Sequence, residues 1–233
     1  MDRFRAYIRT MVDPHTGDLE LPLVAMNPMA REHVPSLLDE LLGIRADDLG
    51  RDAVEAAGPG LADEPGRFKV GLVVADDVRG GWTNRYAAEF SHRFEEAALY
   101  KRGWIIGMLW ASEVPAERRV RETVMTAIHR AVYIQQHGTA MTLAAMLAQE
   151  GRAMARAGCV DPVLDADDLA YTRTVIAPLL QATDRATVMA CLFGDAAATA
   201  LGYPPQGLSP RAGLALALHD HSVPNRAIPA SRR

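Results

Sequence analysis

Lysine is almost missing from this chain. Only Lys69 and Lys101 occur among 25 basic residues, so the other 23 are arginines. With the abundance of alanine, that imbalance reads as the coding bias of a GC-rich bacterial genome. It lowers the weight any single arginine carries as a chosen anion ligand. Cysteine is scarce as well. Cys159 and Cys191 stand apart, with no CxxC and no Cys/His cluster. This excludes a disulfide scaffold and points to reduced thiols in a reducing compartment. Cys191 sits in the apolar stretch 188–193 and reads as a packing residue.

Other absences narrow the function classes. No apolar run approaches the roughly 18 residues that cross a bilayer, and none follows the charged start Met1-Asp2-Arg3-Phe4-Arg5. The expectation is a soluble cytoplasmic protein with no signal peptide and no membrane partner. A basic stripe is lacking too: net charge is −4 and the pI is near 6.0, so nucleic acid is not an expected partner. There is no GxxxxGK[ST], no GxSxG and no HExxH, which lowers the case for P-loop NTP hydrolysis, classical α/β-hydrolase chemistry and zinc proteolysis. Glu89-x-x-His92 is half of a spacing that di-iron bundles need twice, and no second copy exists. His219-Asp220-His221 lies beside a polar C-terminus and reads as exposed. Cofactor and metal content stay open.

What is present is a strand–helix alternation. Residues 68–75, "FKVGLVVA", and 104–112, "WIIGMLWAS", are β-branched or apolar on both faces, the pattern of central parallel strands. Helices are expected over 85–102, with Gly103 as its stop, and over 115–138, ending at Gly138. Strand, helix, strand, helix with short links is the βαβ unit. Residues 19–27, "LELPLVAMN", read as a further strand, placed at an edge by Pro22, followed by a helix over 30–42. Another short helix is expected over 48–58. After Gly138 the pattern is helical, over 139–158, 165–183, 184–202 and 209–221. The expected fold is therefore α/β: a small, mostly parallel sheet with βαβ units and a largely helical C-terminal half. Residues 1–221 read as one domain and 222–233 as a flexible tail.

In open parallel sheets, ligands bind outside the carboxyl ends of the strands. Those ends carry Asn27; Asp76 and Asp77, followed by Arg79, Gly80-Gly81, Trp82, Asn84 and Arg85; and Ser112-Glu113. The turn from 75 to 85 needs one Asp, one Gly and one helix cap. A second carboxylate, a tryptophan and an arginine are left over. Adjacent aspartates point in different directions, so Glu113 from the next strand end is the better partner for either. Asp76, Asp77 and Glu113 are the candidate acid–base or metal-binding groups. Asn27, Arg79, Trp82, Asn84, Arg85 and Ser112 are the candidates to bind a small polar substrate. On the helix that follows, Arg85, Glu89, His92, Arg93 and Glu96 form a stripe of (i, i+4) pairs, expected to be solvated. A second reading stands beside the first: a non-catalytic protein whose helical region 139–220 forms a homo-oligomer or partner surface.

Overall fold

In the computed structural model the described residues are Val12, His15, 31–78 and 83–222. The proposed strand over 19–27, Asn27, Arg79, Gly80, Gly81, Trp82 and the tail beyond Ser222 lie outside them. The chain divides into two compact units, residues 1–132 and 133–233.

The first unit opens with α1 (His33–Gly43) and α2 (Ala46–Ala57), followed by a single 3₁₀ turn over Gly58–Leu61. Then come β1 (Lys69–Ala75), α3 (Arg85–Phe94), α4 (Ala97–Lys101) and β2 (Trp104–Trp110). A long helix, α5, runs over Glu117–His137, and the division between the units falls within it. β1 and β2 are hydrogen-bonded neighbours and parallel, in register from Lys69 opposite Trp104 to Ala75 opposite Trp110. The βαβ reading of 68–112 is the fold that forms.

The sheet is apolar on both faces because helices cover both. On one side Ile105 packs with Ala53 and Ala57 of α2 and Val124, Ala127 and Ile128 of α5. Leu109 meets Leu37 and Leu41 of α1 and Val120 of α5. On the other side Ala75, Met108 and Trp110 pack against Ala88 of α3. Burying one such side chain is worth about 1.5–3 kcal/mol, so these clusters, rather than two strands' ladder bonds, hold the sheet.

Two expected helices are divided: 184–202 breaks at Gly194 into helices over Arg185–Phe193 and Asp195–Ala200, and 85–102 breaks as well. The segment 85–102 is two helices, α3 and α4, separated at Glu95–Glu96. Neither Gly nor Pro marks the break. Gly103 follows α4 with φ +74°, and its backbone N–H closes the turn onto Tyr100 O at 2.9 Å, a left-handed conformation that glycine adopts without steric cost.

The second unit is helical throughout its described residues. It comprises α6 (Leu143–Arg156), α7 (Ala166–Ile176), α8 (Arg185–Phe193), α9 (Asp195–Ala200) and α10 (Ala212–Ser222). A 3₁₀ turn, Ala177–Leu179, extends α7. Thr142, Asp165 and Asp184 cap α6, α7 and α8 by accepting the backbone N–H of Ala145, Asp168 and Thr187. α10 packs chiefly on α6. Seven consecutive residues of it, Ala212–Leu218, are buried, which explains why its sequence has a weak amphipathic pattern. Cys159 and Cys191 are not disulfide-bonded.

Candidate functional site

Parallel pairing of β1 with β2 sets the strand ends side by side. The ladder runs one residue further, with Ala111 N–H donating to Ala75 O at 2.9 Å. Asp76 and Asp77 therefore leave β1 beside Ser112 and Glu113 leaving β2. Thr83 N–H returns to Asp76 O at 3.2 Å. Asn84 then caps α3, its side chain accepting the Ala87 N–H at 3.0 Å. This cap points Arg85, the first residue of α3, at the strand ends.

Arg85 is the centre of the arrangement. Its three nitrogens go to three carboxylates from three elements: NH2 to Glu113 Oε1 at 2.6 Å, NH1 to Asp77 Oδ2 at 3.1 Å and Nε to Glu89 Oε2 at 3.1 Å. Its guanidinium lies over the Trp110 ring, 4.1 Å from the centroid. A planar, fork-shaped cation suits this task in a way that a point-charge ammonium would not. Burial pulls Arg85 toward its neutral form, but Glu89, Glu113 and Asp77 outweigh it and hold its pKa above the ordinary arginine value.

The carboxylates differ in what remains free. Asp77 is 2% exposed. Besides Arg85 it accepts the Ser112 N–H at 2.9 Å and the Ser112 hydroxyl at 2.7 Å, so it clamps the two strand ends together. Glu89 is 3% exposed and also takes two bonds from Arg93, at 3.0 and 2.7 Å. Glu113 is 23% exposed and bridges Arg85 to Arg119, whose NH1 lies 3.2 Å from its second oxygen. Asp76 is buried. One of its oxygens accepts the Val78 N–H at 3.2 Å and meets His33 Nε2 at 2.9 Å.

Of the sequence candidates, Asp77, Arg85, Ser112 and Glu113 come together directly. Asp76 sits next to them but turns toward α1, as adjacent side chains at a strand end do. Asn84 serves the helix cap. Sequence reasoning missed His33, Glu89, Arg93 and Trp110. The (i, i+4) pairs along α3 are all present, Arg85–Glu89, Glu89–Arg93 and His92–Glu96. Their expected solvation is not, because Glu89 and His92 are buried. His33 had no signal beyond standing on the face of α1 shared with Leu37 and Leu41.

A crevice beside the cluster, bounded by Trp110, Glu113, Val114 and Arg119 with Leu37 and Leu41, has a volume of about 10 Å³, room for one water. A larger cavity of about 330 Å³ lies between α2, β1 and α5, where Asp47 and Arg51 are the charged groups among the described residues that line it. The crevice is lined mainly by apolar side chains, with Glu113 and Arg119 the charged groups at its edge. Among the described residues no group of three or more His, Cys, Asp or Glu side chains is placed to hold a metal ion, and no helix is long and apolar enough to cross a membrane.

Comparison with protein-family models, with curated proteins and with solved structures gives no match to this chain.

Proposed function

We propose that the carboxyl rim of the β1–β2 sheet binds a small polar molecule, and that this is the protein's working site. The supporting observation is the position and finish of the Arg85 cluster. It lies where parallel sheets bind ligands, and its buried members are fully paired while Glu113 and Arg85 keep one side open. Asp77, Glu89 and Trp110 fix the guanidinium. Glu113, Ser112 and Arg85 are the groups that would orient a ligand, and Glu113 is the partly exposed carboxylate available for acid–base work. Pre-set, partly desolvated charges of this kind interact more strongly than the same groups in water.

A ligand that binds the native state raises its stability by about 2.7 kcal/mol at a hundredfold excess over Kd. Screening polar metabolites and divalent metals by thermal shift, then mapping the hits by amide chemical shifts, tests the proposal. Hits should move residues 76–78, 85 and 111–113, and Glu113→Gln should weaken them. Hits that map only to the cavity between α2 and α5, or no hits at all, refute it.

A further inference from the structure

His33 and Asp76 are 43 residues apart, yet their side chains meet at 2.9 Å. No turn requires this contact. The loop after β1 closes through the Asp76 carbonyl and Thr83, and the Asp76 carboxylate already has the Val78 N–H. Asp76 is 6% exposed, whereas the His33 side chain is 32% exposed. A buried, fixed carboxylate thus holds one ring nitrogen of an imidazole that stays partly exposed. Nδ1 has no protein partner among the described residues.

We propose that His33 is the proton-transfer group of the rim and that Asp76 is its positioning residue. The inference rests on the reading of the rim as a ligand site. An ionised carboxylate only accepts, so Nε2 must donate to Oδ1 and the lone pair is fixed on Nδ1. A ligand X–H, or a water, gives its proton to Nδ1. The ring becomes an imidazolium with Nε2–H still donated to Asp76, and the reverse step returns the proton to the product. No other reactant is needed for the balance. This is the division of labour in which a carboxylate sets tautomer and orientation and stabilises the charged ring without itself taking the proton.

Two measurements on the full-length protein test this without knowing the ligand. The first is the imidazole ¹⁵N spectrum of the wild type, assigned with His33→Gln. At about pH 8, above the usual imidazole range, the expected result is an Nε2–H tautomer with the lone pair on Nδ1, and an Nδ1–H tautomer overturns the proposal. The second is residue-resolved labelling by diethyl pyrocarbonate at about pH 8, well above the usual imidazole range. Nδ1 attacks the reagent's carbonyl, ethyl carbonate leaves and the ring sheds a proton to solvent. His33 should label at least as fast as the more exposed His219, and Asp76→Asn should slow His33 several-fold while His219 is unchanged. A tether without an available lone pair would change melting alone, so labelling of His33 that is absent, or indifferent to Asp76→Asn, overturns the proposal. If Asp76→Asn does not fold, the wild-type tautomer and labelling rate decide. A rim that binds its ligand beside a wrongly protonated His33 refutes only the dyad, and a correctly poised dyad at a rim that binds nothing refutes only the binding site.

Discussion

Replacing Arg85 by alanine is the sharpest test of how the rim is built. The change removes three charge-assisted hydrogen bonds, to Glu113, Asp77 and Glu89, and the stack on Trp110. Breaking a buried ion pair by deleting one partner costs about 3–5 kcal/mol, because the remaining charge is left buried and unpaired. Here each abandoned carboxylate keeps another donor: Ser112 for Asp77, Arg93 for Glu89 and Arg119 for Glu113. The Arg85 side chain is also 19% exposed, which admits some solvent screening. Both facts place the cost at the low end, about 3 kcal/mol. Arg85→Lys keeps the charge but one ammonium cannot serve three diverging acceptors, so its cost should be about half that.

The assay is favoured by the sequence. All three tryptophans, Trp82, Trp104 and Trp110, lie within residues 1–132. Urea unfolding followed by tryptophan emission therefore reads probes within the first unit, and a shifted midpoint at unchanged slope gives the change in stability. The sign with pH is also fixed. A pKa raised on folding contributes stability that is fully present below the unfolded value and is lost as pH rises through the folded one. For Arg85 that window lies in strong alkali, so its own contribution should be constant across neutral pH. An Arg85→Ala protein that unfolds at the wild-type midpoint, or an Arg85→Lys protein less stable than Arg85→Ala, would show that the cluster is not what joins the strand ends.

Three further outcomes follow from the second unit. Burial, reinforced by the charge of Asp184, pushes the Cys191 thiol up to about 11; native protein at about pH 8 should leave it unalkylated by mass spectrometry, and denaturant should expose it. The Thr187 backbone N–H, and then its side chain, hold Asp184 below its ordinary value, so the cap's contribution is present at neutral pH and fades as pH falls through the depressed value; Asp184→Asn should flatten that part of the acid-melting curve while α8 stays capped. A Cβ at Gly213 would collide with the Cys191 carbonyl and lie 3.0 Å from Leu192 Cα, so Gly213→Ala should cost about 1–3 kcal/mol by overpacking α10 against α8, and a neutral melt would show that the helices can part.

What the sequence discloses here depends on how far the determining physics reaches along the chain. β1, β2 and α5 are legible because each needs only its own residues: an apolar run buried on both faces, or a 21-residue helix with Glu117 in its first turn and His137 in its last. The convergence of Asp77, Arg85, Ser112 and Glu113 was legible at one remove, since parallel pairing of two recognised strands forces their ends together. The burial of the α3 stripe was not. Charged (i, i+4) pairs look alike whether water or protein lies over them, and here Glu89 and His92 are buried on a helix whose Ala88 packs against Ala75, Met108 and Trp110. His33 with Asp76 is the extreme case, as no local pattern in α1 marks one histidine as the partner of a carboxylate 43 residues on. The turn arithmetic that singled out the leftover polar groups after β1 was thus a count of what local structure does not consume. The same count applied in three dimensions singles out His33. Asp77 is consumed by the strand clamp, Glu89 by Arg93, Glu113 by Arg85 and Arg119 and Asn84 by the helix cap, whereas the exposed part of His33 serves no contact that the fold requires. That side chain is where substitution should cost function before it costs stability.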